Sequence, residues 1–228
     1  MTVEAYEKSG CAVVERTLLQ TLDKFSISEP QILINVRDTH QLKRAEEYFN
    51  IYNNLVSDVR GKGFRDGETL FEFGVGPGFL AQRFQEGGLR VYGADIKDNR
   101  ENLFINLSIS KDNLPFPDGY FDYVSITSVM HHIPSSLHRK YFGEFQRVLK
   151  QDGILLVQED ERGRNYVEHS LIRAVDRLVS GPEANAHRFK EEWLEFFGEN
   201  GFYLRSQELR THKKGFWQLN KLFYALTK

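Results

Sequence analysis

One stretch of the sequence, "TLFEFGVGPGFL" at residues 69–80, limits what this chain can fold into. It places an acid, Glu72, inside an apolar run and follows it with Gly74, Gly76 and Gly78. A buried carboxylate and a flexible loop are both energetically costly, so their combination predicts that the segment binds a ligand. The segment therefore predicts a buried strand that ends in a ligand-binding loop.

The rest of the chain predicts an α/β fold with a doubly wound, mainly parallel sheet. Five short apolar runs follow residue 65, and helical stretches separate most of them, which is the pattern of parallel strands joined by crossover helices. The runs are "TLFEFG", "RVYGAD", "LFINLSI", "FDYVSIT" and "ILLVQE". The crossover helices are predicted over residues 78–86 and over "SSLHRKYFGEFQRVLK", which ends before "DG", where Gly153 can terminate it.

The two ends of the chain differ from this alternating middle. Helical spacing of apolar residues predicts helices over residues 3–25 and 40–60. The runs "GFYLRSQELR" and "FWQLNKLFYALTK" predict a terminal antiparallel hairpin. We therefore expect an N-terminal helical cap over residues 1–65, a binding domain over residues 66–228, and a helical insertion at about residues 161–190 within it.

The glycine spacing separates two classes of ligand. A dinucleotide fingerprint, G-x-G-x-x-G, would place its third glycine at position 79, where this chain has Phe79. Phosphate groups favour nearby amides and cations, whereas Glu72 suits a ligand that carries an ammonium or sulfonium. This favours S-adenosylmethionine over NAD. The simpler alternative is a tight strand-to-helix turn with Glu72 in an ordinary ion pair.

A second acid supports the nucleoside interpretation. Asp95 ends the run "VYGAD", 21 residues after Gly74, where a carboxylate can accept hydrogen bonds from two ribose hydroxyls. Asp95 could instead cap the following turn, which is a common use of aspartate.

With these residues in view, the chain resembles the class I S-adenosylmethionine-dependent methyltransferases, and more narrowly their ubiquinone- and menaquinone-biosynthesis type of small-molecule enzyme. The segments that carry the resemblance are "LFEFGVGPG", "GADI", "DNLPFPDGYFDYVSITSVMHHIP" and "EFQRVLKQDGILLVQE". The resemblance implies a Rossmann-like sheet of seven strands with the last strand antiparallel.

The resemblance also implies residue roles. Glu72, Gly74, Gly76 and Gly78 should surround the methionine part of S-adenosyl-L-methionine, and Asp95 should hold its ribose. The remaining cofactor candidates lie beside the adenine or contact the cofactor from the end of the fourth strand. They are Ile96, Ser110, Asp112, Asn113, Thr127 and Ser128. Relatives usually carry an acid where Ser110 stands, so Asp112 or Asn113 could take that place.

Methyl transfer from a sulfonium is a direct displacement, so no covalent nucleophile is required. A general base helps where the acceptor is protonated, and His131 and His132 follow the fourth strand at the expected place. The resemblance places His132 at a frequent histidine position of the family, where a structural hydrogen bond is common, and both His131 and His132 stay candidates for the base. Adjacent histidines without further ligands at metal-site spacing do not predict a metal ion.

The acceptor pocket is expected from the N-terminal helices and the segment after the fifth strand. Tyr48 and Tyr52 could close over the ligands or pack their helix against the core. Charged and polar candidates near the acceptor are Glu159, Asp160, Arg162, Arg164, His187 and Arg188. Charge runs are more often solvated surface.

Composition excludes several broad classes. A net charge of -2 gives no general reason to expect a nucleic-acid partner. The single cysteine, Cys11, cannot form an internal disulfide, and no signal-peptide pattern or long apolar run is present, so we expect a cytoplasmic protein with no membrane partner. The predicted function is methyl transfer to a small molecule at oxygen, nitrogen or carbon. The alternatives are a non-catalytic cofactor-binding or regulatory protein and a protein or RNA methyltransferase.

Overall fold

The computed structural model describes residues 39–95, 105–106, 113–161, 170, 187–214 and 217–228. Several expectations fall outside these residues: the helix over residues 3–25, most of the insertion at 161–190, and the candidates Ile96, Ser110, Asp112, Arg162 and Arg164. The division of the chain at residue 65 stays a prediction.

Helix α1, Thr39–Arg60, matches the predicted helix over residues 40–60. Its apolar residues recur at helical spacing and bury one face against the sheet and the next helix. The buried residues are Ala45, Tyr48, Ile51, Tyr52, Leu55 and Val56. This packing brings the first turns of α1 to the carboxyl edge of the sheet.

Seven strands form a single sheet, as predicted. Their order is β3-β2-β1-β4-β5-β7-β6. They are β1 Thr69–Phe73, β2 Arg90–Asp95, β3 Ile105–Asn106, β4 Phe121–Thr127, β5 Leu149–Asp160, β6 Tyr203–Lys214 and β7 Trp217–Thr227. Strands β1 to β5 pair in parallel. All five residues of β1 are buried, as expected for a strand covered on both faces.

The last strand is antiparallel, and the predicted terminal hairpin is confirmed. β7 pairs antiparallel with β5 on one side and with β6 on the other. In this register Asp160 of β5 lies opposite Lys221 of β7. The hairpin therefore places a β7 side chain at the same sheet edge as the ends of β4 and β5.

Helices α2 Phe79–Glu86 and α3 Ser135–Val148 provide crossovers, and α4 Lys190–Glu199 precedes β6. Helix α3 was predicted over residues 135–150 and ends at Val148, although Gly153 is not what ends it. The chain turns extended at Leu149, which pairs with Phe121, so β5 begins there and continues through Gly153. Strand pairing at Leu149 ends the helix before the glycine is reached.

Apolar residues cover both faces of the sheet. One cluster joins α1 and α2 to one face through side chains such as Tyr52, Phe84 and Phe223. The other joins α3 and α4 to the opposite face through Phe73, Phe145 and Trp193. The carboxyl ends of β1, β2 and β4 lie between these layers, where α/β sheets bind ligands.

Candidate functional site

A cavity of about 470 Å³ opens at the carboxyl ends of β1, β2, β4 and β5. Its walls come from α1, from the loop after β1, from the end of β2, from the segment after β4, and from β5 and β7. The lining residues include Tyr48, Glu72, Gly74, Gly76, Asp95, Thr127, Ser128, His131, His132, Asp160 and Lys221. This volume lies within the range of small-ligand pockets, which is about 300–1,000 Å³.

The glycine loop needs its glycines for different reasons. Gly74 has φ 79°, and a Cβ there would lie 2.2 Å from Cγ2 of Val129, so no larger residue fits without movement. Gly76 has φ 53°, but a Cβ there would meet only open space. Gly78 is the N-cap of α2 with φ 83°, and it is not among the lining residues. The loop thus brings backbone against the cavity at Gly74 and Gly76.

Glu72 is the most unusual polar group of the site. It is only 3% exposed, and its Oε2 atom is buried without a hydrogen-bond partner among the residues that the structure describes. Burial, assisted by the nearby charge of Asp95, raises the pKa of Glu72 to about 8. A buried acid that lacks a partner suits a ligand with a positively charged group.

Asp95 lies at the tip of β2, as predicted, and it contacts the glycine loop. Its Oδ2 accepts a hydrogen bond of 2.7 Å from the backbone N–H of Gly76. The amides of Gly74 and Val75 both donate to the carbonyl of Ala94, the residue before Asp95. The loop after β1 and the end of β2 are thereby fixed to each other, and the two acids face one cavity.

Thr127 and Ser128 end β4 at the cavity. Thr127 Oγ1 shares a hydrogen bond of 2.9 Å with the hydroxyl of Tyr52, which is fully buried and packs α1 against the sheet. Ser128 has φ 55°, a left-handed conformation that is rare for a residue with a side chain. Its hydroxyl donates to Oε1 of Gln158 at 2.6 Å, which helps to hold this turn.

The two predicted histidines lie in a short 3-10 helix, Met130–His132. His131 is 2% exposed, and its Nδ1 lies 2.6 Å from Oε2 of Glu159. The His132 ring centroid is 3.9 Å from that of His131, and His187 stacks on His131 at 4.6 Å. Both His131 and His132 line the cavity.

Glu159 does not lie on a solvated, substrate-facing surface. It is fully buried and bonds to the turn that carries His131. Arg188 packs over Trp193 and bonds to His138, so it belongs to the α3–α4 layer and is not among the cavity-lining residues. Asn113 is exposed and is likewise absent from the lining.

Lys221 was not predicted, although it lines the cavity. Its Nζ lies 3.2 Å from Oδ1 of Asp160 and 5.6 Å from the ring centroid of Tyr48. The charge of Asp160 and the nearby Tyr48 outweigh burial and raise the pKa of Lys221, so it is a cation at neutral pH. No sequence motif marks Lys221. Only the antiparallel pairing of β7 with β5 reveals its place.

In the part of the chain that the structure describes, no group of three or more His, Cys, Asp or Glu side chains could hold a metal ion. None of the helices described is long and apolar enough to cross a membrane.

Comparison with known proteins agrees with this geometry. The family model described as "Methyltransferase domain" matches residues 71–157, which span β1 to most of β5. An uncharacterized methyltransferase of a Geobacillus species is 25% identical over 170 residues, covering 69% of this chain and 80% of the relative. The uncharacterized methyltransferase YcgJ of Bacillus subtilis is 24% identical over 172 residues, covering 70% of this chain and 67% of YcgJ.

Solved structures show the same fold. The YcgJ crystal structure matches with a TM-score of 0.57 and 16% identity over 83% of this chain and 98% of YcgJ. A 1,6-didemethyltoxoflavin-N1-methyltransferase of Burkholderia thailandensis matches with a TM-score of 0.59 and 14% identity, over 94% of this chain and 90% of that one. That structure contains 1,6-didemethyltoxoflavin and S-adenosylhomocysteine.

The strand order, the methyltransferase-domain match over residues 71–157 and these relatives support a methyltransferase with this fold. Two structural neighbours were solved with S-adenosylhomocysteine or with S-adenosyl-L-methionine bound. The narrower resemblance to the ubiquinone- and menaquinone-biosynthesis branch stays a prediction.

Proposed function

We propose that the protein transfers a methyl group from S-adenosyl-L-methionine to a small-molecule acceptor at oxygen, nitrogen or carbon by direct displacement. The cavity has the size of a small-ligand pocket, and one structural neighbour holds a small heterocycle together with the demethylated cofactor. The formal charge of -2 gives no support for a nucleic-acid acceptor. A cytoplasmic location is part of the same proposal.

Glu72 carries the cofactor assignment. Its buried, unpartnered Oε2 beside the glycine loop would accept a hydrogen bond from the ammonium group of the methionine part. We assign Gly74 and Gly76 to the backbone cradle and Gly78 to the start of α2, and we assign Asp95 to the ribose. When bound, S-adenosyl-L-methionine supplies an activated methyl group on a sulfonium sulfur.

The acceptor would lie on the other side of the cavity. Thr127 and Ser128 end β4 between the two regions, and His131 and His132 are the candidate bases. Tyr48, Asp160 and Lys221 add polar groups that could bind the acceptor. Tyr48 comes from α1, which supports the view that an N-terminal cap over residues 1–65 helps to form the acceptor pocket.

Two experiments test this proposal. Isothermal titration should show binding of S-adenosylhomocysteine and no comparable binding of NAD. Turnover with a methyl-labelled donor against a metabolite extract should then transfer label to a small molecule. Binding without transfer would favour a non-catalytic, regulatory role, and transfer only to protein or RNA would overturn the small-molecule assignment.

A further inference from the structure

Two polar residues at the end of β5 hold the turn that carries the candidate bases. Gln158 and Glu159 are both fully buried. The carbonyl of Gln158 accepts the backbone N–H of Ser128 at 2.9 Å, and its side chain accepts the hydroxyl of Ser128. Consecutive residues of a strand point to opposite faces, so Glu159 reaches a different part of the same turn.

The two carboxylate oxygens of Glu159 have separate partners. Oε1 accepts the backbone N–H groups of Val129 at 3.1 Å and Met130 at 2.7 Å. Oε2 lies 2.6 Å from Nδ1 of His131. Oε1 alone therefore holds the backbone of the turn, and Oε2 bonds to the imidazole ring of His131.

Glu159 is held in its ionised form. Burial acts to raise the pKa of Glu159, while its interactions with His131 and with the two backbone N–H groups act to lower it, and the pKa lies below its usual value. An ionised carboxylate can only accept hydrogen bonds, so Nδ1 of His131 must carry a hydrogen. In neutral imidazole the other nitrogen, Nε2, is then the proton acceptor.

The ring of His131 is also fixed in its plane. His132 and His187 contact it with ring centroids at 3.9 Å and 4.6 Å, and the His187 ring is nearly parallel at 17°. A purely structural role for Glu159 would need only the two backbone bonds. The short bond to a ring that lines the cavity indicates a role in setting the tautomer.

We propose that Glu159 is a positioning residue that presents Nε2 of His131 as the proton acceptor, so that the methyl acceptor is a hydroxyl or N–H group. The inference rests on the proposed function. In the step, the acceptor oxygen or nitrogen forms its bond to the methyl carbon while the carbon–sulfur bond breaks. The electron pair of that bond stays on sulfur, and the proton of the acceptor passes to Nε2 of His131.

The tautomer can be measured directly in the full-length protein. Histidine labelled with ¹⁵N, saturated with S-adenosylhomocysteine at pH 8, gives distinct long-range proton–nitrogen spectra for the two tautomers and for imidazolium. A His131→Gln variant assigns the signals. We expect a protonated Nδ1 and an unprotonated Nε2 on His131. A protonated Nε2, in either the other tautomer or imidazolium, would overturn the proposal.

Variants separate positioning from folding. Glu159→Gln should abolish the Nδ1–H signature of His131 while S-adenosylhomocysteine affinity changes less than about threefold; an unchanged signature would refute the role of Glu159. Should this variant not fold, Glu159→Asp keeps the charge, shortens the side chain and should weaken the same signature. Glu161→Gln makes the same chemical change two residues further along the chain, just past the end of β5, and should leave the His131 spectrum as in the wild type.

Acceptor class is tested with a labelled methyl donor and a panel of phenols, N–H heterocycles, thiols and tertiary amines. We expect label on phenols or N–H heterocycles, at a rate that Glu159→Gln lowers by at least about tenfold. Transfer confined to thiols or tertiary amines, or an unchanged rate in the variant, would overturn the inference. Failure to bind S-adenosylhomocysteine, or binding with no transfer to any probe, would count against the proposed function, while the His131 spectrum decides the tautomer separately.

Discussion

Cofactor affinity should rise with pH because Glu72 must lose a proton before it can pair with a cation. In the ligand-free protein the pKa of Glu72 is about 8, raised by burial and by Asp95. At pH 7 about one molecule in eleven then carries the carboxylate, and forming it costs about 1.4 kcal/mol. Binding of an ammonium group beside Oε2 selects this minor form.

The size of the effect follows from the ionised fraction. Between pH 6 and pH 7 that fraction increases about ninefold, so the dissociation constant for S-adenosylhomocysteine should fall by about the same factor. This range lies below the usual pKa of an α-amino group, about 7.7–8.0, so the ligand keeps its positive charge. Binding at pH 7 should release about 0.9 proton for each ligand bound.

Isothermal titration in two buffers with different ionisation enthalpies measures both quantities. Glu72→Gln removes the titrating group but leaves His131 and His132 in place, so its affinity should vary little over the range. Glu86→Gln makes the same change at an exposed position and should behave as the wild type. An equal pH dependence in wild type and Glu72→Gln, or no proton release in the wild type, would refute this reasoning.

Three further predictions concern the same edge of the sheet. Asp95→Ala should weaken S-adenosylhomocysteine binding at least about tenfold, because charge-assisted hydrogen bonds to the ribose are lost; titration of the folded variant checks this. Gly74→Ala should lower the free energy of unfolding, measured in urea, by more than about 1–3 kcal/mol, because alanine at this φ is strained and its Cβ also overlaps Val129. Gly76→Ala has the strained φ without an overlap, so it should lower the free energy of unfolding by only about 1–3 kcal/mol. Glu72→Gln should stabilise the ligand-free protein by up to about 5 kcal/mol above pH 8 and by little at pH 4.5, as measured by urea unfolding at both pH values.

The sign of the stability prediction follows from the raised pKa. The unfolded chain releases the Glu72 proton near pH 4.5, while the folded chain keeps it until about pH 8. Between these values the folded state binds more protons than the unfolded state, so its stability falls as pH rises. A wild-type protein that gains stability relative to Glu72→Gln over this interval would contradict the assignment of an unpaired, buried acid.

The mainly parallel sheet, and the presence of Glu72 and Asp95 at one edge of it, could be predicted because local patterns carry them. Alternating apolar runs and helices predict the parallel sheet, and its register then places Glu72 of β1 opposite Gly93 of β2. Asp95 lies two residues beyond that pair, so the two acids meet at one edge. The end of α3 was predicted to within two residues, but its cause was not: pairing between Leu149 and Phe121, which local sequence does not reveal, ends the helix before Gly153.

The acceptor side depends on contacts between segments far apart in the sequence, and the sequence pattern misled there. Glu159 follows an apolar run and precedes charged residues, so it reads as the start of a solvated surface. Its carboxylate instead turns inward because the turn after β4 offers two backbone N–H groups and the His131 ring. A buried carboxylate is costly unless hydrogen-bond donors surround it, and these donors become neighbours of Glu159 only in the folded chain. Because one of them is the His131 ring, the tautomer of His131 is the property of this site that most needs to be measured.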